Sequence, residues 1–312
     1  MQKIWHSIFW KILSCGCFAA INVVVRFLSG GSTLSIQPLP IYSIMFFQHI
    51  IGLLLITLWM WKSDELHKAD FATTKPWLHS IRVITATLGI GLFYLSLRYI
   101  PVTQAVALSV TTPIFTTIGA VVFLKEDFNL QRKIAVFLSI AGGILVVRPE
   151  QALSNGAFSW YMLLPILAAI AFSLDKLITR KLLAMNEQSS ALAWYLLAFI
   201  APLSIIPALY YGWVTPSMQH MPWLLLLGSL GALAHYTFNR AYAIAEVTVL
   251  LPFGAARLIL GALFSYIAFF EIPKAFDMWL GISVIIISTI ILGIDKSTFT
   301  KMRKWQLSKQ GA

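Results

Sequence analysis

Arg257 stands near the middle of a long apolar stretch, residues 247–270, where a charged side chain is costly. An arginine at the centre of a bilayer costs about 2.5–3.5 kcal/mol on insertion scales, so it faces the interior of a helix bundle rather than lipid. Two roles are open for it. It would act as the counter-ion of a carboxylate or phosphate on a substrate, or it would form a structural pair with an acidic neighbour such as Asp175.

Asp175 and Lys176 lie at the end of another apolar stretch, residues 157–176. Both are inside the membrane if their helix continues to Leu183, and both form its cytoplasmic rim if the helix stops earlier. Asp175 is included among the candidate substrate-binding residues, and the two positions stay open.

Six further polar residues occur inside or at the ends of apolar stretches, where a buried side chain needs a hydrogen-bond partner. They are Asn22 and Arg26, Gln48 and His49, and His235 and Asn239. The first and the last pair share a helix face, because their members are four residues apart. Arg26 either lines a cavity with Asn22 or extends outward from the helix end. The other five are candidates for substrate binding, although bonds between neighbouring helices explain each of them equally well.

Aromatic residues make up 13% of the chain, and most of them are expected to pack in the bundle or to form belts at the membrane surface. One or two of those in the spans could stack on a flat ligand ring or face a cation. Tyr94 is taken as the candidate, although the sequence does not distinguish it from several others. These are Trp194, Tyr195, Tyr236, Tyr242 and Tyr266.

The sequence lacks motifs that would indicate other chemistry. It has no G-x-x-x-x-G-K-[ST] loop, so direct use of ATP is not expected. It has no H-E-x-x-H motif and no cysteines at a metal-binding spacing. No cofactor and no metal are predicted, and transport driven by a gradient or by exchange remains. A polytopic membrane enzyme is the alternative of another class, with His49 and His235 as its acid–base groups.

The elements that position these residues are predicted to be membrane helices. Of the 312 residues, 59% are hydrophobic and 11% are charged, whereas soluble domains carry about 25% charged residues, so a water-soluble enzyme is excluded. A helix needs about 20 apolar residues to cross the hydrocarbon core. Charge-free windows divided at Pro, Gly and charge clusters predict an all-α membrane protein with ten transmembrane helices. They cover residues 8–28, 39–61, 77–97, 102–124, 132–148, 157–176, 189–211, 222–243, 247–270 and 276–294.

Lysine and arginine residues indicate how these helices are oriented. If the first helix starts in the cytoplasm, 18 of the 23 basic residues, with Lys11, Arg82 and Lys176 among them, fall on the cytoplasmic side. Four fall on or near the opposite side, and Arg257 lies inside a span. This distribution follows the positive-inside rule and places both termini in the cytoplasm. The net charge of +11 is then a topology signal, so no nucleic-acid partner is predicted.

The two halves of the chain are similar at a constant offset of 145 residues. Residues 96–126 align without gaps with residues 241–271. Thr103 falls on Thr248 in this alignment, and Glu126 falls on Glu271 near the end of the corresponding span. The hydropathy and the positions of turn-forming residues agree, so the chain is predicted to contain an internal repeat.

The repeat defines the predicted domains. Residues 1–150 and 151–296 each hold five spans, and residues 297–312 form a basic cytoplasmic tail. Five is an odd number, so the two halves have opposite orientations in the membrane. Inverted repeats of this kind are typical of carriers that open a site near the midplane to one side and then to the other.

Several short motifs of the first half occur in the order typical of one transporter family. They are R-Y-I-P-V-T from Arg98, T-P-I-F from Thr112, Glu126, G-G at Gly142 and V-V-R-P from Val146. With these motifs the chain resembles the EamA family of the drug/metabolite transporter superfamily. The resemblance implies a ten-helix, multi-pass carrier in the bacterial inner membrane with both termini in the cytoplasm. The P-V-T element and the Thr248…Pro252 element are most similar to those of S-adenosylmethionine uptake carriers.

These observations predict a secondary transporter that moves a small polar metabolite, with S-adenosylmethionine uptake or exchange as the suggested activity. Export of amino acids or drugs is the alternative within transport, because a fold sets neither direction nor substrate. The expected partners are a small-molecule substrate and the lipid bilayer, and a homodimer is left open.

Overall fold

The computed structural model describes residues 2–30, 37–62, 73, 75–109, 111–124, 130–147, 160–185, 187–244, 250, 252–270 and 276–293. These ranges contain eleven α-helices and three short 3-10 helices, and no β-strand occurs within them. The α-helices are α1 (Gln2–Leu28), α2 (Ile41–Lys62), α3 (Pro76–Tyr99), α4 (Val102–Ser109), α5 (Thr112–Leu124), α6 (Leu130–Val147), α7 (Leu163–Ala184), α8 (Ser189–Tyr211), α9 (Met221–Ile244), α10 (Ala256–Phe269) and α11 (Phe276–Gly293).

Seven helical segments in the described ranges are long and apolar enough to cross a membrane. They are Trp5–Leu28, Ile41–Lys62, Pro76–Tyr99, Val102–Gly119, Trp160–Ala184, Ser189–Tyr211 and Met218–Ile244. The other three predicted spans coincide with α6, α10 and α11, which do not meet that criterion over their described residues. The prediction of an all-helical membrane protein is therefore confirmed, whereas the count of ten spans stays a prediction.

Proline and glycine account for several of the helix ends. Pro76 is the first residue of α3, where its missing N–H is harmless because that group would have no helical partner. The same helix ends at Tyr99, since Pro101 disfavours a helical conformation at Ile100, which is extended. Gly212, with a φ of +87°, ends α8 in a conformation that favours glycine.

Two predicted spans are interrupted, and the interruptions fall at matching positions of the two halves. The fourth predicted span divides into α4 and α5 between Ser109 and Thr112. In the ninth, a 3-10 helix over Pro252–Ala255 precedes α10. At an offset of 145 residues, Ser109 corresponds to Gly254 and Thr112 to Arg257. The sequence analysis did not predict these breaks.

The local sequence explains the first break. The hydroxyls of Ser109, Thr111 and Thr112 each donate to the backbone carbonyl three residues earlier, at 2.8, 2.6 and 2.5 Å. Such bonds compete with the helical backbone pattern. Pro113 adds to the effect, because it has no N–H to continue the helix.

Helix packing follows a pattern that is preserved when each helix is exchanged with its counterpart in the other half. The pair α1–α9 then becomes α7–α3, and α1–α10 becomes α7–α5, and all of these pairs are in contact. The pairs α2–α8 and α6–α11 map onto themselves and are also in contact. An approximate two-fold relation between the halves would produce this exchange pattern.

Helices α2 and α9 approach each other most closely at a pair of glycines. A Cβ atom added to Gly228 would lie 2.4 Å from Cγ2 of Ile51 and 3.1 Å from the backbone nitrogen of Gly52. Small residues at a helix crossing let two backbones come close in a membrane, where packing drives helix association. This crossing ties one helix of the first half to one helix of the second.

Several features of the sequence analysis lie outside the described residues. Among them are Thr248, Glu126, Glu271, Arg148 and Pro149 of the V-V-R-P motif, and the tail, residues 297–312. Thr103, the counterpart of Thr248, is buried in α4, and its hydroxyl has no hydrogen-bond partner within the described part of the chain. The domain boundaries at residues 150 and 296 stay a prediction.

Candidate functional site

A cavity of about 130 Å³ lies between the two halves of the chain. This central cavity is large enough to hold several water molecules. Its walls come from α1, α2 and α3 of the first half and from α7, α8 and α9 of the second. Both interrupted spans also reach it, through Ser109 and Thr112 in one and Gly254 and Arg257 in the other.

The structure brings six of the eight predicted substrate-binding residues to the central cavity. They are Asn22, Gln48, Tyr94, Asp175, His235 and Arg257. They come from six different helices, and only the fold brings them together. Their role in substrate binding stays a prediction.

Arg257, in the first turn of α10, is held mainly by neutral groups. Its Nη2 donates to Oδ1 of Asn22 at 3.3 Å. Its guanidinium carbon lies 5.3 Å from the ring centre of Phe18 and 5.2 Å from that of Phe93, both within the range of a cation–π contact. Its Nε has no hydrogen-bond partner among the described residues. The guanidinium therefore has a buried donor that no described residue satisfies.

Asp175 pairs with Arg82, which answers one question left open by the sequence. Arg82 Nε donates to Asp175 Oδ1 at 3.2 Å and lies 2.7 Å from Thr179 Oγ1, while Nη1 donates to the backbone carbonyl of Leu192 at 2.9 Å. The described residues contain no ion pair between Arg257 and Asp175. Asp175, which was suggested as the structural partner of Arg257, is thus paired with Arg82.

Lys11, Arg82 and Lys176, which the orientation count placed on the cytoplasmic side, all line the central cavity. Arg82 is 1% exposed and Lys11 is 6% exposed, and both line the central cavity. Helix α7 continues to Ala184, so Lys176 also lies within a span and lines the cavity. These three residues therefore carry less weight as orientation signals than the count assumed.

A usable signal for these three residues was present in the sequence. No Gly or Pro separates Gln2 from Lys11 or Lys176 from Ala184, so nothing ends a helix there. Arg82 already stood inside the third predicted span. Extending helices to the next breaker, rather than stopping at the first charge, would have placed all three in the membrane.

Gln48 and Tyr94 join α2 to α3 at the edge of the cavity. The Tyr94 hydroxyl donates to Oε1 of Gln48 at 2.8 Å, and both side chains are buried. The amide of Gln48 also packs against Gly231 of α9, where an added Cβ would lie 3.1 Å from Nε2. The pair therefore orients one polar group in a tightly packed region where three helices meet.

His49 and Asn239 are not part of the cavity lining. His49 Nδ1 donates to the backbone carbonyl of Met45 at 2.7 Å within its own helix, and its ring centre is 6.4 Å from that of His235. Asn239 Nδ2 donates to the carbonyl of Ser189 at 3.2 Å, which attaches α9 to the start of α8. Bonding between helices, the alternative stated for Asn239, is what its contact provides.

Arg26 caps a neighbouring helix rather than extending outward. Its Nη1 donates to the backbone carbonyls of Leu97, at 3.1 Å, and of Ile100. These carbonyls lie at the end of α3, where helical partners are missing. Arg26 thus satisfies polar backbone groups between α1 and α3 and does not line the central cavity.

Four phenylalanines of the central cavity were not predicted from the sequence. They are Phe18, Phe93, Phe172 and Phe238. They come from α1, α3, α7 and α9 and give the cavity apolar walls beside its charged groups. Such walls suit a ligand with a flat ring. Phenylalanines are common in this chain, and their spacing alone does not distinguish a cavity wall from ordinary packing.

Comparison with known proteins shows that this chain is similar to membrane transporters. Residues 5–148 match the profile of the EamA-like transporter family. A riboflavin transporter of Rhizobium johnstonii is 30% identical over 283 residues, which cover 91% of this chain and 89% of the relative. An S-adenosylmethionine uptake transporter of Rickettsia bellii is 27% identical over 234 residues, which cover 75% and 78% of the two chains. A solved structure with 16% identity covers 89% of this chain and 95% of its own, with a TM-score of 0.62, which shows a shared fold.

Proposed function

The chain belongs to the EamA-like transporter family, and we propose that it is a secondary transporter which moves a small polar metabolite across the bacterial inner membrane by alternating access. The observation that carries the proposal is the central cavity, which both halves of the chain enclose and both interrupted spans reach. Discontinuous helices that meet at a site between repeats are typical of secondary transporters. The family is one of transporters and not of enzymes, so the two histidines need no catalytic role.

The proposed architecture is ten spans in two inverted halves, residues 1–150 and 151–296, with both termini in the cytoplasm. The matched breaks and the exchange pattern of helix contacts support it. A cytoplasmic reporter is expected to be active when fused after Lys304 and inactive when fused near Ser154 or Pro216. Activity at either of the last two positions contradicts the ten-span arrangement.

The proposed substrate is a metabolite with a flat ring and polar groups. The phenylalanine walls supply a surface for the ring, while Asn22, Gln48 and Arg257 supply polar contacts. The names of the relatives identify two ring-bearing solutes, riboflavin and S-adenosylmethionine, as the first candidates to test.

Uptake into proteoliposomes tests this function. We expect proteoliposomes that contain the purified protein to accumulate more of a radiolabelled ring-bearing solute than a buffer control does, and the solute is expected to stay chemically unchanged. The variant Phe172→Leu, which removes one ring from the cavity wall, is expected to weaken the apparent affinity. Phe137→Leu is the matched control, because Phe137 lies on α6 and is 70% exposed. Release of a solute of altered mass would indicate an enzyme. Transport only in the outward direction would indicate an exporter.

A further inference from the structure

The central cavity holds more positive than negative charge. Its lining contains four cationic side chains and one carboxylate. Arg82 and Asp175 form an ion pair and balance each other. Lys11, Lys176 and Arg257 remain, and none of them forms an ion pair with a carboxylate in the described part of the chain.

Neutral groups hold two of these cations in place without cancelling their charge. Lys11 Nζ lies 3.3 Å from the hydroxyl of Tyr242 and 4.9 Å from the ring centre of Phe238. Arg257 is held between two phenylalanine rings and by Asn22, as described above. Cation–π contacts and a hydroxyl oxygen stabilise a buried cation, but the net charge of the site is unchanged.

The unsatisfied atoms of the cavity lining are donors. Within the described residues, Nε of Arg257 and Nδ2 of Asn22 have no hydrogen-bond partner. Asn22 is fully buried, and both residues line the cavity. Buried donors without partners are costly, so acceptor atoms placed beside them would stabilise the site.

The N-terminal ends of two helices add to the positive charge of the central cavity. Helices α5, with 13 residues, and α10, with 14 residues, begin at the interruptions of their spans. Thr112 and Arg257, in their first turns, line the cavity. The N-terminus of a helix carries a partial positive charge, which favours an anion.

We propose that the substrate is an anion in which a flat ring carries a phosphate monoester, with the ring between the phenylalanines and the phosphate among Lys11, Lys176 and Arg257. This inference rests on the proposed function and narrows its substrate class. Riboflavin is neutral, and S-adenosylmethionine has a net positive charge at pH 7, so neither would balance these cations. A phosphate monoester supplies nearly two negative charges and several acceptor oxygens. Arginine and lysine both bind such groups well.

Binding of two flavins that differ only in the phosphate tests the inference. Flavin mononucleotide and riboflavin have the same ring, so the full-length protein in nanodiscs is titrated with each, and adenosine monophosphate and adenosine form a second pair. We expect the phosphate ester of at least one pair to bind about tenfold more tightly than its neutral partner, which corresponds to about 1.4 kcal/mol. The variant Lys176→Gln is expected to remove most of that preference. Lys181→Gln, on the exposed face of the same helix, is the control.

The outcomes separate this inference from the proposed function. Equal or tighter binding of the neutral member in both pairs overturns the inference, and so does a phosphate preference that Lys176→Gln does not reduce. Absence of binding by either phosphate ester overturns it as well. If a neutral solute is nevertheless taken up by proteoliposomes, the carrier function stands. If the phosphate esters bind but no solute is transported, the proposed function is contradicted and the anion site remains.

Discussion

Arg82 and Arg257 both line the central cavity, yet their partners differ. Arg82 is bound to Asp175, Thr179 and a backbone carbonyl, and it joins α3 to α7 and α8. Arg257 has one hydrogen bond to Asn22 and lies against two aromatic rings. The first arginine is satisfied within the protein, whereas the second has donor capacity that the described residues do not use.

This difference predicts that the two arginines of the cavity have different roles. Removing one partner of a buried ion pair leaves an uncompensated charge, so the Arg82 pair is expected to matter for folding. A buried cation without an acidic partner destabilises the empty protein and gains most from an anionic ligand. A charge in a membrane span is therefore interpreted best from its partners.

The largest expected effect is on the stability of Arg82→Leu. This change leaves the carboxylate of Asp175 without its partner and is expected to cost about 3–5 kcal/mol. Thermal unfolding in detergent measures the loss as a lower Tm or as aggregated protein. The double variant Arg82→Leu with Asp175→Asn removes both charges and is expected to recover part of the Tm. A single variant as stable as the wild type would show that the pair is not structural.

Arg257→Leu is expected to abolish transport while the protein remains folded. Removing the charge also removes an insertion cost of about 2.5–3.5 kcal/mol, so the Tm should be equal to or above that of the wild type. Uptake by proteoliposomes and thermal unfolding are measured on the same preparation. Uptake at the wild-type rate and apparent affinity would place the substrate site elsewhere than at α10.

Arg257→Lys sharpens the comparison, because it keeps the charge and loses the planar group. Lysine does not present the paired donors of a guanidinium. We expect the apparent KM of uptake to rise about tenfold through the loss of one charge-assisted hydrogen bond, with a smaller change in the maximal rate. An unchanged KM would mean that charge alone is sufficient at this position.

Substitutions of Asn22 and Asn239 are expected to have the smallest effects and to distinguish the two kinds of contact most finely. Asn22→Ala removes the partner of Arg257 and is expected to raise the apparent KM about fivefold, which corresponds to one ordinary hydrogen bond of about 1 kcal/mol. Asn239→Ala breaks a bond between α9 and the start of α8, so the Tm is expected to fall while the KM is unchanged. The opposite pattern would reverse the roles assigned to the two residues.

Some residues of the candidate site could be predicted from the sequence, and others could not. Arg257, Asn22, His235 and Asp175 were identified because polar residues in apolar stretches need a partner or a ligand, and that argument needs no structure. Lys11 and Arg82 were missed as cavity residues, because the positive-inside rule assigns a basic residue near a helix end to the cytoplasm. His49 was included because it is polar and lies midway through the second predicted span, but it points in a different direction from its neighbour Gln48, which lines the cavity.

Composition and hydropathy determined that this chain is an all-helical membrane protein, because a helix satisfies its backbone hydrogen bonds within one apolar segment. They also located the similarity between the halves, since a repeat preserves the positions of polar and turn-forming residues. The partners of each buried charge were decided only in the tertiary structure. Asp175 is 93 residues from Arg82 in the sequence, and Asn22 is 235 residues from Arg257. Such contacts depend on helix packing, which brings distant side chains to one cavity.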